Sequence, residues 1–393
     1  MFPGLTAEAS KAGSTALSGR RPFRVLHASA GNLFGGVETI LITLARLRHL
    51  CPEMEPAFAL CFEGLLSQQL RSAGVTVHML GEARISRPWT VWRARRRLRD
   101  VLRREAYDMV ICHMPWSLAV LGPAVRAGGR RLGFSAHAFH SGRNWLERLA
   151  RFTSPDVMIA NSRFTEAGLK NLFPEVAHGI MHPPVARTQT AMNRIAVRRR
   201  HNTADDAVVI VQISRMEPLK GHLLHLEALA QLRDVNSWVY WVCGGAQRPS
   251  EQHYVAQVEK RANELGIAER VRFLGQRTDI GELLAAADIF CQPNLSPDSF
   301  GIVFIEALWA GLPVVSTAIG GALEIVNDSC GLLVGEGNAA ELAGALKRLI
   351  TQPDLRVELG RNGAARAHEL CDPAGQMKVL SRLCGFDSGA ASE

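Results

Sequence analysis

The sequence predicts an α/β protein made of two doubly wound, Rossmann-like domains facing an interdomain cleft. Three observations lead there. Short β-branched or apolar runs alternate with longer helical patterns almost throughout, the strand candidates divide evenly between the halves, and 393 residues suffice for two domains with separate cores. Strands are expected at 24–29, 57–62, 75–80, 108–113, 132–137 and 156–161, then at 208–214, 238–244, 271–275, 289–294, 313–317 and 331–334. Ligands of such sheets bind outside the carboxyl ends of the strands, so two facing sheets make one cleft.

Residues 1–21 are rich in Ser, Ala and Gly, carry no apolar h-region, and read as a disordered N-terminal tail. The first strand, RVLHAS, runs into Gly31-Asn-Leu-Phe-Gly35-Gly36-Val37-Glu38 and an amphipathic helix. Paired glycines there either make a tight turn or let backbone amides approach a phosphate or sugar. The stretch from Arg87 to Arg104 is the most basic in the chain, with Trp89, Trp92, Leu98, Val101 and Leu102 available for one face. It is either a solvated surface helix or a surface for an anionic membrane; no aromatic-platform motif supports nucleic acid as a partner. His113 and His137 end two strand candidates, where the chemistry of such folds gathers.

The seam falls within residues 181–207, where His-Pro-Pro-Val gives way to Arg-rich sequence. Beyond it, strand 208–214 is followed by Arg215-Met-Glu-Pro-Leu-Lys220-Gly221, and two cations flanking a strand-to-helix turn can clamp a diphosphate. Residues 296–313, SPDSFGIVFIEALWAGLP, read as a helix opened by Ser-Pro-Asp-Ser and stopped by Ala-Gly-Leu-Pro. Asp298 or Ser299 would be its cap, and the unpaired amides around Phe300, Gly301 and Ile302 form an anion site. Glu306 sits among Val303, Phe304, Ile305, Ala307, Leu308 and Trp309, where an ionised carboxylate needs a partner, a neighbouring helix or a polyol. Helical patterns at 342–350, 353–370 and 373–384 close the chain.

Composition narrows the class. Hydrophobic residues at 47% and charged ones at 21% exclude a disordered or fibrous chain, and no run reaches the roughly 18 apolar residues that cross a bilayer. Eight cysteines stand singly with no CxxC pair, which predicts reduced core thiols in a cytoplasmic protein and no metal site. A net charge of +8 favours an anionic partner.

Together these motifs resemble the retaining glycosyltransferases of the GT-B fold, of the GT4 type (glycosyl transferase group 1). The matching residues are Gly35-Gly36-Val37-Glu38 after the first strand, Arg215 with Lys220-Gly221, the Glu-x7-Glu helix at Asp298 and Glu306, and the continuation through Ala310-Gly311-Leu312-Pro313-Val314-Val315 and Gly320-Gly321-Ala322-Leu323-Glu324. The first carboxylate is Asp298 where the family usually has Glu, one methylene shorter. The resemblance implies that Arg215 and Lys220 hold the donor diphosphate, that Glu306 accepts from the ribose hydroxyls, and that Asp298 touches the transferred sugar. It implies amides near Phe300, Gly301 and Ile302 at the phosphates, Gly35 and Gly36 close to the diphosphate and acceptor, and His137 near the reacting carbon. It further implies an acceptor-side domain at 22–190, a nucleotide-sugar domain at 191–370, and, at 371–393, a helix crossing back to the first domain, then a tail.

The expected function is therefore sugar transfer from a nucleotide-diphosphate sugar to a hydroxyl acceptor, lipid-linked or polysaccharide, with retention, without cofactor or metal, in the cytoplasm or on the inner membrane face. Two alternatives share the cleft: a GT-B nucleotide-sugar epimerase, which needs first-domain carboxylates that are not evident, and a non-catalytic nucleotide-sugar-binding protein. Base recognition leans on backbone near residues 275–277, so neither base nor sugar is named.

Overall fold

The computed structural model describes residues 21–32, 35–188, 193–235, 237–246 and 248–386. The expected tail at 1–21 lies outside these except for Arg21, which is held: its guanidinium grips Asp108 at 2.6 and 3.0 Å. The expected tail after residue 386 also lies outside them.

In chain order the first half runs β1 (Phe23–Ser29), α1 (Gly36–Arg46), β2 (Met54–Leu60), α2 (Leu65–Ser72), β3 (Val77–Met79), α3 (Pro88–Arg104), β4 (Met109–His113), α4 (Met114–Ala127), β5 (Arg131–Ala136), α5 (Trp145–Ala150), β6 (Val157–Ala160), α6 (Arg163–Leu169) and β7 (His178–Ile180). The second half runs α7 (Arg194–Arg200), β8 (Val208–Ile213), α8 (His222–Ala230), β9 (Trp238–Cys243), α9 (Pro249–Glu264), β10 (Val271–Gly275), α10 (Ile280–Ala286), β11 (Ile289–Gln292), α11 (Ile302–Trp309), β12 (Val314–Thr317), α12 (Ala322–Ile325), β13 (Gly331–Val334), α13 (Ala339–Thr351), α14 (Pro353–Cys371) and α15 (Pro373–Leu383).

The strands form two parallel sheets, ordered β3-β2-β1-β4-β5-β6-β7 and β10-β9-β8-β11-β12-β13. Both are covered on two faces, which is why the strands read as continuous apolar runs. In the first sheet, Leu26, Val110 and Phe134 pack against α3 and α4, whereas Val25, Met109 and Ile111 pack against α1 and α15. In the second, Ile210 and Tyr240 meet α8, α9 and α13, whereas Val211 and Phe290 meet α10, α11 and α14. The order reverses beside β1 and beside β8, so each sheet opens a crevice at the carboxyl ends of its central strands.

Three expectations are corrected. The even split becomes seven strands and six, because β7 is only three residues long and its His-Gly-Ile carries no alternation to read. The helix expected across 296–313 begins only at Ile302. Neither Asp298 nor Ser299 caps it; Gly301 does, at a φ of 110° that an L side chain avoids, and a Cβ there would lie 2.4 Å from the Phe304 ring. On α3 the tryptophans and leucines do not share a face. Ala94, Leu98 and Leu102 are buried, while Trp89 and Trp92 are 60% and 57% exposed.

Helix α3 is locked to α4 by chemistry that a proline demands. Pro123 lacks the N–H that would satisfy the Ala119 carbonyl, and Arg95 of α3 supplies a donor instead, at 3.0 Å, with a second bond of 2.7 Å to Val120. All eight cysteines are free and buried. Among the described residues no helix is long and apolar enough to cross a membrane.

Candidate active site

Lys220 ends the short 3₁₀ turn Pro218–Lys220 after β8, and Gly221 follows it at a φ of 72°. Only glycine fits, because a Cβ would meet the Pro293 carbonyl at 1.8 Å. Beneath the turn, the buried Gln212 donates to the Lys220 carbonyl at 2.8 Å and accepts from the Tyr240 hydroxyl at 2.6 Å. The turn is thus fixed by a side chain whose polar valences are spent inside the sheet.

The Lys220 ammonium reaches Asp298 at 2.5 Å. The other Asp298 oxygen accepts from Asn294 at 2.9 Å and from Gln292 at 3.3 Å. This accounts for the missing cap: tertiary donors have taken the carboxylate. Arg215 pairs with Glu217 at 2.6 Å and remains half exposed.

Arg215, Lys220, Asp298, Phe300, Gly301 and Ile302 line a hollow of about 370 Å³, and Gly36 and His137 close it from the first sheet. The unpaired first-turn amides of α11 belong to its wall. Most expected site residues are therefore brought together across the cleft. Gly35 is not in this group; it lines a larger hollow of about 700 Å³ with Gly36, Phe62, Arg84, Trp116, Arg215 and Arg248. Met114 also lines that hollow and carries a φ of 68°, a strained conformation outside glycine, directly after β4.

Glu306 does not share the hollow of Lys220. It lies about one turn further along the face of α11 that carries Ile302 and Val303, and lines a separate hollow of about 370 Å³ with Arg187, Thr278, Ile280, Gly281 and Trp309. Its carboxylate has no hydrogen-bond partner among the described residues, and burial pushes its pKa up to about 7.

Contacts that sequence reading did not find tie the cleft shut on one side. The Glu324 carboxylate accepts from His182 at 2.8 Å and from the Arg163 amide at the start of α6 at 2.7 Å. Burial works against that charge, but His182 and the amide outweigh it and hold Glu324 below its usual range. Ser162 donates to the Ser299 carbonyl beside it. Ser162 left no local signal, because it acts on a residue 137 positions away. Gln212 and Asn294 lie only 8 and 4 positions from the residues they hold, but a lone amide side chain carries no pattern to read. Glu324 was visible only as part of a motif.

Comparison with known proteins bears on the family and the fold. Residues 193–366 match the family described as Glycosyl transferases group 1, and residues 34–186 match Glycosyltransferase Family 4. A GDP-mannose-dependent alpha-(1-6)-phosphatidylinositol monomannoside mannosyltransferase of Mycolicibacterium smegmatis is 31% identical over 268 residues, 63% of this chain and 68% of that protein. Human alpha-1,3/1,6-mannosyltransferase ALG2 is 26% identical over 71% of this chain and 68% of its own length. Among solved structures, Anabaena Alr3699/HepE in complex with UDP superposes with a TM-score of 0.81 at 23% identity, covering 92% of this chain and 99% of that one. A glycosyltransferase from Rickettsia africae gives 0.83 at 18% identity, over 94% and 100%. At those identities the last two speak for the fold.

Proposed function

Since this chain belongs to the group 1 glycosyl transferases of the GT4 type and moves a sugar from a nucleotide sugar to a hydroxyl acceptor, we propose a division of labour for its cleft and a retaining course for the transfer. The observation that carries the reading is the hollow in which Arg215, Lys220, Asp298 and the start of α11 face His137 and Gly36. Residues 22–190 serve the acceptor and 191–370 the donor, with α15 returning to the first half.

In this reading the donor diphosphate displaces Asp298 from the Lys220 ammonium and lies against Arg215 and the amides of Gly301 and Ile302 beside Phe300. These charges meet the one that develops as the nucleoside diphosphate leaves, with no divalent ion. Asp298, freed, accepts from hydroxyls of the transferred sugar, and His137 meets that sugar from the opposite wall. The nucleoside extends along α11 into the second hollow, where Glu306 accepts from the ribose hydroxyls and the backbone beyond residue 275 faces the base. Separation of charge gives an oxocarbenium-like sugar, and the acceptor hydroxyl enters on the face the diphosphate leaves, its proton passing to the departing phosphate oxygen. The larger hollow is lined by Phe62 and Trp116 and by Arg84, Arg215 and Arg248 beside Glu38 and Glu251, and suits an acceptor that carries a ring, hydroxyls and a phosphate.

The names of the relatives make GDP-mannose the first donor to try. A thermal-shift screen of nucleotide sugars should single out one donor. Proton NMR of the transfer, run with a chelator present, should then show a product with the donor's anomeric configuration. An inverted product overturns the retaining course, and dependence on a metal overturns the charge assignment.

The acceptor is lipid-linked and the enzyme works on the cytoplasmic face of a membrane through residues 87–104. Supporting this, Trp89 and Trp92 stand out of α3, and beyond α4 in the same layer Trp145 and Phe152 are 65% and 87% exposed. Arg93, Arg96, Arg148 and Arg151 are exposed around them. Aromatic rings among cations suit an interface with anionic lipid. The protein should float with vesicles containing anionic lipid and much less with neutral ones, and high salt or alanine at Trp89 and Trp92 should release it. Failure to float removes the membrane from this reading.

A further inference from the structure

Three histidines form a file across the carboxyl edge of the first sheet. His27 of β1 pairs in register with Ile111, so His113, two residues on, stands on the same face one strand over. His113 pairs with Ser135, and His137 lies two residues beyond that. Each step moves one strand sideways and two residues up. The rings meet nitrogen to nitrogen: His27 Nδ1 lies 3.0 Å from His113 Nε2, and His113 Nδ1 lies 2.9 Å from His137 Nε2.

All three side chains are buried, and burial holds every ring neutral: it lowers His27 to about 3, His137 to about 4, and His113 well below its usual value. A neutral imidazole has one N–H and one lone pair, and each contact needs one of each. The choice at either contact therefore fixes all three rings. In one state every ring carries its proton on Nδ1, and the file ends with an N–H on His137 and a bare lone pair on His27 Nε2. In the other the protons sit on Nε2, and His27 ends the file with an N–H.

The ends decide between them. His27 Nε2 is buried without a partner, its ring stacked on Phe58 at 5.3 Å. A buried N–H with nothing to donate to is rarer than an unmet acceptor. His137 Nδ1 is likewise buried without a partner, but its residue lines the hollow proposed for the donor, so a ligand there can supply the acceptor that His27 Nε2 lacks. The Ser135 hydroxyl, 3.1 Å from His137 Nε2, can donate or accept and does not choose. We infer that His27 and His113 are positioning residues that hold His137 as the Nδ1–H tautomer, so that it offers a hydrogen-bond donor to the sugar. The inference rests on the proposed donor site both for what His137 meets and for the preference between the two states, whereas the linkage of the three rings rests on their contacts alone.

Long-range proton–nitrogen correlation on full-length protein with labelled histidine reads the tautomer with no substrate present. His27, His113 and His137 should all show a protonated Nδ1 and a bare Nε2. His113→Phe removes the donor to His137, and should give a mixed or reversed signature there with a fall in kcat of about tenfold or more. His113→Asn keeps an N–H near the same place, and should recover the signature and most of the rate. A protonated Nε2 on His137 in the wild type overturns the inference, and that spectrum decides alone if His113→Phe does not fold. Should the signature hold while His137→Ala transfers sugar normally, the donor-site reading fails and the tautomer file stands.

Discussion

Lys220→Ala is expected to lower turnover about 10²- to 10³-fold while leaving the melting temperature close to that of the wild type, the loss usual for removal of one preorganised group that meets developing charge. Lys220 is held for this task. Its carbonyl is fixed by Gln212, and its ammonium projects into the hollow that Arg215 and the start of α11 also line. Folding does not need the charge, because Asp298 keeps its bonds from Asn294 and Gln292 once the lysine is gone. Steady-state assay beside a melting curve separates the two effects. Full activity in the variant would remove Lys220 from the chemistry and the diphosphate from this hollow.

Glu306→Gln should change how stability depends on pH. The wild-type carboxyl holds its proton in the folded chain up to about 7, whereas its ordinary value is 4.5. Between those values the native state binds more protons than the unfolded one, so this group makes stability fall as pH rises, with the full loss reached above 7. The glutamine variant lacks that slope. Its melting temperature should match the wild type near pH 4 and exceed it increasingly up to pH 7, then run parallel. Nucleotide reverses the order: ribose hydroxyls donate to the ionised carboxylate, so binding should strengthen with pH in the wild type and be about tenfold weaker in the variant at pH 8. Superimposable stability curves would show that Glu306 is not held protonated, and equal nucleotide affinity would take it out of the nucleoside site.

Local chemistry made much of this protein legible. Strands buried on both faces announce themselves as apolar runs, and every one foreseen lies within a few residues of its place. The strand that escaped, β7, is three residues containing a glycine, too short to show a period. Where reading went astray, distant partners had intervened. Ser-Pro-Asp-Ser has the look of a cap, but Lys220, 78 residues away, holds the aspartate and leaves the helix to start at Ile302 with Gly301 as its cap. The family resemblance puts Lys220, from its strand-to-helix turn, and Glu306, the polar exception in an apolar helix, on one donor, yet they line different hollows that share a wall in α11. One error was avoidable: Trp89 and Leu98 are nine positions apart, half a turn out of phase at about 100° per residue, and so oppose each other on any α-helix.

The polypeptide passes between the two sheets twice, just after β7 and again where α14 gives way to α15, whose Met377 and Leu380 pack beneath the first sheet. The passages touch, since the Val185 amide donates to the Cys371 carbonyl at 3.1 Å, and Trp309 secures the same segment through the Val185 carbonyl at 2.9 Å. Two tethers joined at one spot make a pivot. A few degrees of bending there would move the opposite rim by ångströms, once the Arg163–Glu324 and Ser162–Ser299 contacts give way, with neither set of strands disturbed.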